Sequence, residues 1–250
     1  MQTAIKADKL TRKFGDFTAV DSITFEVSAG EIFGFLGANG AGKTTAMKML
    51  SGLLNPTSGT ATVAGFDVYT ESEKIKQNIG YMSQRFSLYE DLTVAENIRF
   101  YSGIYGLKRS VLKEKMKRLL SDLQLWHVKD TLLKSLPLGW KQKLAFSVAI
   151  IHEPQIVFLD EPTAGVDPIT RRQFWEMIYQ ASDRGVTIFV TTHYMDEAEY
   201  CDRVSIMVDG KIEALNTPEN LKRQFHAKNM NEVFLLLARK QTANREHPNT

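Results

Sequence analysis

The sequence predicts an α/β protein built on a mostly parallel β-sheet. Three observations carry that prediction. Short apolar runs alternate with helical patterns along most of the chain. Several of those runs are apolar at nearly every position, as strands covered on both faces must be. A glycine-rich segment, GANGAGKTT, stands between one such run and a helical pattern.

Composition sets the bounds. The chain has 250 residues, 43% of them hydrophobic and 24% charged, as in an ordinary globular protein. That length suits one large domain or two small ones. The 31 basic and 29 acidic residues leave a net charge of +2, too balanced to argue for nucleic-acid binding, and no nucleic-acid partner is expected. Cys201 is the only cysteine, so no internal disulfide can form and a reducing compartment is the natural setting. The N-terminal MQTAIKADKLTRKFG has no apolar core of signal-peptide length. No apolar run approaches the roughly 18 residues needed to span a bilayer. A soluble chain is expected, able to dock on something that is not soluble.

The elements follow in order. AIKADKL at 4–10 and SITFEVS at 22–28 alternate apolar and polar residues and suggest an antiparallel sheet near the N-terminus. IFGFLG at 32–37, IVFLD at 156–160, TIFVTTH at 187–193 and RVSIMV at 203–208 read as strands of the main sheet. Long helical segments follow the first two. The middle, about 85–150, is mostly helical and reads as an insertion between two parts of the sheet domain. Within it, TVAE at 93–96 fits a capping box, with Thr93 as N-cap and Glu96 reaching back. Leu112, Met116, Leu119, Leu120 and Leu123 fall on one helical face, with Lys113, Lys115, Lys117 and Arg118 elsewhere as a solvated basic face. The sheet domain with its insertion is expected to cover 1–225. Residues 226–250 are expected to form a polar, partly disordered tail. There is no internal repeat.

GANGAGKTT spans 37–45 and matches G-x-x-x-x-G-K-[ST] at Gly37, Gly42, Lys43 and Thr44. The spacing has a physical reason. Backbone N–H groups must point inward around a phosphate, and only small residues allow so tight a curl. Gly42 leads into a helix whose N-terminus faces the anion. Lys43 supplies positive charge at the β- and γ-phosphates, and Thr44 offers a hydroxyl to Mg²⁺. In IVFLDE, four apolar residues carry a strand to Asp160 at its C-terminal edge. Asp160 suits a Mg²⁺ ligand, and Glu161 a general base that polarises an attacking water.

Together with DEPTAGVDP at 160–168 and TTH at 191–193, these segments make the chain similar, over about 4–225, to the ATP-binding subunit of ABC transporters. It resembles in particular the subunits that drive ABC-2 type exporters. The resemblance implies a P-loop NTPase fold of ABC type, with a mostly parallel core sheet, an antiparallel N-terminal β subdomain and an inserted helical subdomain. It implies ATP and Mg²⁺ as cofactors. Glu161, His193 and Gln84 would be the catalytic group, and Thr44, Gln84 and Asp160 the metal ligands. Gly37, Asn39, Gly40, Gly42, Lys43, Thr44 and Thr45 would hold the nucleotide. Phe14 sits where the family places an aromatic under the adenine, with Phe17 as a rival. Asp167 matches an aspartate that reaches across a dimer interface. The implied partners are a second ATP-binding subunit, identical or different, and an ABC-2 type permease. The implied location is cytoplasmic, on the inner face of the cell membrane.

One segment departs from the family. The family's signature reads L-S-G-G-Q; here Leu136, Pro137, Leu138, Gly139 and Trp140 stand in its place, 24 residues before Asp160 at the family's usual spacing. Pro137 has neither the serine hydroxyl nor an N–H. Leu138 adds a side chain where backbone normally nears phosphate. Gly139 and the helix N-terminus after it can still present N–H groups to an anion. Losing one hydrogen bond to a charged group costs about 1.5–3 kcal/mol. Three readings stay open: a working clamp in a homodimeric ATPase, a weak site paired with a different subunit, or a segment used only for interaction. Of the rival functions, a repair or translation ATPase needs a long coiled coil or two such domains in one chain. A small-molecule kinase gives no reason for LDEPTAGVDP and TTH.

Overall fold

The computed structural model describes residues 2–84 and 88–246, with side chains as far as residue 239. Two long strands, β1 (Thr3–Phe14) and β2 (Phe17–Ser28), form an antiparallel hairpin. They extend well beyond the alternating stretches that predicted them. The chain continues through β3 (Ile32–Leu36), α1 (Lys43–Leu50), β4 (Ser58–Val63), β5 (Phe66–Asp67), α2 (Ser72–Asn78) and β6 (Ile79–Met82). A helical block follows: α3 (Val94–Ile104), α4 (Arg109–Asp122) and α5 (Leu138–Ala149). Then come β7 (Ile156–Asp160), α6 (Pro168–Ser182), β8 (Thr187–Thr192), β9 (Arg203–Val208), β10 (Lys211–Asn216), α7 (Pro218–Gln224) and α8 (Met230–Glu246).

Two sheets result. The smaller is antiparallel, in the order β2-β1-β4-β5; the larger runs β10-β9-β3-β8-β7-β6. Within the larger sheet only the β10–β9 pair is antiparallel, and the others are parallel. The all-apolar strands are alternating after all, but both faces are covered. Phe33, Phe35, Phe158 and Phe189 pack with Phe25 and α1 under the small sheet. Leu36, Val157, Leu159, Ile188 and Val190 face the helices on the other side. A buried period-2 strand therefore reads as a continuous apolar run.

Between β6 and β7, which pair in parallel, the described residues are mostly helical. The capping box forms as expected: Thr93 N–H donates to Glu96 Oε2 at 2.8 Å and Glu96 N–H to Thr93 Oγ1 at 3.2 Å. Leu119 and Leu120 of α4 are buried, with Leu112, Met116 and Leu123 packed against the same core. Lys115 leaves the basic face and donates to the Ile151 carbonyl and to Glu153, each at 2.8 Å. The part of this block at 85–87 lies outside the described residues.

Within 226–250, expected as a polar, partly disordered tail, part of the chain is a docked helix. Helix α8 occupies most of that range, and Met230, Val233 and Leu237 are buried in the core of the helical side. Those three residues recur at helical spacing in the mostly apolar MNEVFLLLA at 230–238; the polar character belongs to the residues from Arg239 on. Residues 247–250 lie outside the described residues. Leu237→Ala is expected to lower stability by about 2–4 kcal/mol, read by chemical denaturation. Leu236→Ala, on the exposed side of the same helix, is expected to change it by less than about 0.5 kcal/mol. Equal effects would mean that α8 is not docked.

Candidate active site

The parallel register places three strand ends side by side. Leu36 of β3 pairs with Thr192 of β8, and Asp160 of β7 pairs with Thr191 of β8. Each strand turns at that edge into a segment carrying one of the sequence motifs. After β3, the loop 37–42 leads to α1, for which Gly42 is the N-cap. Gly42 has φ of 104°, and a Cβ there would lie 2.3 Å from the Ala19 carbonyl oxygen. Only glycine satisfies both demands.

Lys43 begins α1 and is 4% exposed. Its ammonium donates to the carbonyls of Gly37 at 2.8 Å and Ala38 at 3.1 Å, and lies 3.4 Å from Glu161 Oε1. Burial pushes the Lys43 pKa down, while the Glu161 carboxylate acts to raise it. The Thr44 hydroxyl donates to Asp160 Oδ1 at 3.3 Å, and the Thr191 hydroxyl donates to the same oxygen at 2.6 Å.

Glu161 sits in the left-handed backbone region, with φ of 49°. For a residue with a Cβ that conformation costs on the order of 1–3 kcal/mol. It is held because the Glu161 N–H is shared between the carbonyl and the hydroxyl of Thr191, each at 3.1 Å. The side chain is then aimed into the site. Its Oε2 accepts from Gln84 Nε2 at 2.8 Å and stands 3.0 Å from His193 Nδ1. Side chains from three separate segments, Lys43, Gln84 and His193, thus meet on one carboxylate.

An open cleft of about 500 Å³ lies over this group, lined among others by Asn39, Gly40, Lys43, Thr44, Thr45, Gln84 and Glu161. Of the two aromatic candidates, Phe17 is on its wall. Phe14, opposite Phe17 in the β1–β2 pairing, stands outside the lining, with the Arg12 guanidinium 4.6 Å from its ring centre. Gly139 and Asp167 are not brought to this cleft either. Asp167 caps its own helix α6, accepting from the N–H groups of Ile169 and Thr170 at 3.0 Å and from the Thr170 hydroxyl at 2.6 Å. These bonds, the Thr170 hydroxyl first, hold its pKa below the usual carboxylate value. Gly139 lies directly on Thr170: a Cβ there would come within 2.4 Å of Thr170 Cγ2. Sequence reasoning also missed Thr191. It stands inside the quoted TTH, but only the pairing of β7 with β8 reveals that it serves both Asp160 and Glu161.

A loop that cradles anions at a helix N-terminus, an adjacent acidic strand end and a positioned carboxylate define a P-loop nucleotide hydrolase. The family model described as ABC transporter matches residues 20–164. The probable multidrug ABC transporter ATP-binding protein YbhF of Escherichia coli (strain K12) is 53% identical over 223 residues, which cover 89% of this chain and 39% of YbhF. The linearmycin resistance ATP-binding protein LnrL of Bacillus subtilis (strain 168) is 34% identical over 244 residues, covering 94% of this chain and 78% of LnrL. A solved ATP-binding subunit of an ABC transporter superposes with a TM-score of 0.85 at 27% identity, covering 94% of this chain and 99% of that one. The chain belongs to the ABC transporter family and corresponds to its ATP-binding part. It spans about two fifths of the length of YbhF. Among the described residues, no helix is long and apolar enough to cross a membrane.

Thr191→Val keeps the shape of the side chain and removes both of its hydroxyl bonds. Turnover is expected to fall about tenfold or more, with stability lower by about 1–3 kcal/mol and ATP binding nearly kept. Steady-state kinetics beside a fluorescent-nucleotide titration checks this. Unchanged kcat would remove Thr191 from the site.

Proposed function

We propose that this chain dimerises on ATP with a second ATP-binding subunit and powers export through a separate ABC-2 type permease, from the cytoplasmic face of the membrane. One observation carries the reading: the Glu161 carboxylate is shared by Lys43, Gln84 and His193. A structural carboxylate has no need of three such partners on three segments. The E. coli relative is a probable multidrug transporter protein and the B. subtilis relative serves linearmycin resistance, which supports a drug-like cargo.

The geometry gives each residue a task. Lys43 now rests on two carbonyls and on Glu161; a bound triphosphate offers it more negative charge and draws it off the carboxylate. The freed oxygen of Glu161 can then take a proton from water as that water attacks the γ-phosphorus and the bond to ADP breaks. His193 orients Glu161 through Nδ1 and can reach the γ-phosphate with its other nitrogen. Gln84 can release Glu161 as the helical block rotates. A Mg²⁺ ion suits the donors here, because Thr44 Oγ1 and Asp160 Oδ1 are hard oxygen ligands 3.3 Å apart. Thr44, Asp160 and Gln84 would hold it, and it would neutralise phosphate charge. Phe17, on the cleft wall, would carry the adenine, with Phe14 opposite it in the β1–β2 pairing as the rival. Asp167 and Gly139 would face the partner subunit's nucleotide.

The purified protein is expected to hydrolyse ATP. Glu161→Gln is expected to lower kcat by about 10²–10⁴-fold, retain ATP binding and favour an ATP-bound dimer in light scattering. Turnover no higher than that control, at any protein concentration, would sink the proposal.

A second reading, a weak site paired with a different ATP-binding subunit, is favoured by the start of α5. Pro137 is its N-cap and makes no side-chain cap bond. Leu138 fills space against the chain's own turn, its Cδ2 3.6 Å from where a Cβ on Gly165 would stand. If the segment clamps the partner's nucleotide, Pro137→Ser raises turnover or ATP affinity by about tenfold or more for one regained hydrogen bond. Leu138→Gly alone is expected to help less, because it opens a gap beside Gly165. Silence of Pro137→Ser would favour the second reading.

A further inference from the structure

Behind the site lies a buried glutamate that the reaction itself does not use. Glu197 is fully buried, in the short helical turn Met195–Tyr200 after β8. The Thr163 hydroxyl donates to its Oε1. Thr163, also buried, is two residues beyond Glu161 on the same tight turn. Arg171 of α6 stands over the pair, its Nε 3.6 Å from Glu197 Oε1 and its Nη1 3.6 Å from Asp196. The same guanidinium lies over the Tyr194 ring, 4.4 Å from its centre. The Tyr194 ring in turn lies 4.1 Å from that of His193. His193 closes the circuit on Glu161 at 3.0 Å.

We propose that Arg171 and Glu197 are positioning residues that lock the Glu161 turn and the His193 turn into one closed ring, so that the two catalytic side chains are held in register. The physical case rests on cost and direction. A fully buried carboxylate is expensive unless paired. Glu197 is paired with one group from each of two segments: a hydroxyl from the turn that carries Glu161 and a guanidinium from α6. Arg171 then spends its other face on Tyr194 by a cation–π contact, which fixes the ring next to His193. Neither residue touches the nucleotide cleft. A displacement of about 1 Å at a reacting group can cost on the order of a hundredfold in rate, so a brace of this kind bears directly on turnover. The inference rests on the hydrolytic roles proposed for Glu161 and His193.

The test uses the whole chain with two readouts. Arg171→Leu is expected to lower single-turnover ATP hydrolysis about 10- to 100-fold, with nucleotide affinity within about twofold of the parent. Arg171→Lys, which keeps the charge and a weaker contact to Tyr194, is expected to recover part of the rate. The second readout needs no activity: NMR of the His193 imidazole, assigned with His193→Asn. In Arg171→Leu its ring resonances are expected to move in the direction that Glu161→Gln moves them. If Arg171→Leu does not fold, Tyr194→Leu breaks the same ring without touching the buried charge and is read in the same two ways. Unmoved His193 resonances would overturn the brace, whatever the activity. A loss of rate that comes with equal loss of nucleotide binding would also overturn it, since that marks general damage. Parent protein without Glu161-dependent turnover would overturn the proposed function and leave the NMR arm to judge the ring.

Discussion

The site depends on one buried carboxylate and the chain segments that compete for it. Lys43 from the phosphate loop, Gln84 from the end of β6 and His193 from the end of β8 all reach Glu161. A carboxylate at 7% exposure gains from each of these bonds far more than a solvated one would. It also makes each segment sensitive to the others. Under the proposed function, an anion in the loop would give Lys43 a better partner, and the remaining contacts of Glu161 would adjust.

That arrangement is bought with backbone strain. Glu161 takes a left-handed conformation directly after an extended strand, and the two oxygens of Thr191 hold its N–H there. The turn that follows is braced again through Thr163 and Glu197. Strain of this kind persists only where the surroundings over-determine it. The parallel register of β3, β8 and β7 supplies that over-determination, because it aligns Leu36, Thr192, Thr191 and Asp160 at one edge.

The divergent segment at 136–140 is tied into the same framework from another side. Gly139 packs on Thr170, Thr170 donates to Asp167, and Leu138 lies beside Gly165. Within one chain, the segment that would face a partner's nucleotide is therefore in contact with the turn that follows Glu161. Leu138 has a structural reason to be a leucine here: it fills the space that the glycine at 165 leaves. The unusual wording is thus compatible with an intact packing unit, and the tight fit at Gly139 explains why a glycine survives in a segment that has otherwise lost its small residues.

Much of this was legible in the order of residues. The strand–loop–helix pattern around GANGAGKTT, the apolar strand ending in Asp160 and Glu161, and the capping box at Thr93 are local facts. Each follows from neighbours a few residues apart, so spacing alone determines them. Four of the six strands of the main sheet, β3, β7, β8 and β9, were legible for the same reason, as was the helical character of the middle, whereas β6 and β10 were not. What lay beyond the sequence was every contact between segments far apart in the chain. Thr191 serves Asp160 and Glu161 only because β8 lies beside β7. Glu197 and Arg171 look like ordinary surface charges until the fold buries one against Thr163 and lays the other over Tyr194. Helix α8 reads as a polar tail because of the polar run that starts at Arg239, although its buried residues stand in the apolar stretch before it. Hydrophobic and polar pattern sets which face of an element is buried; only tertiary packing decides what it is buried against, and so which side chain becomes another's partner.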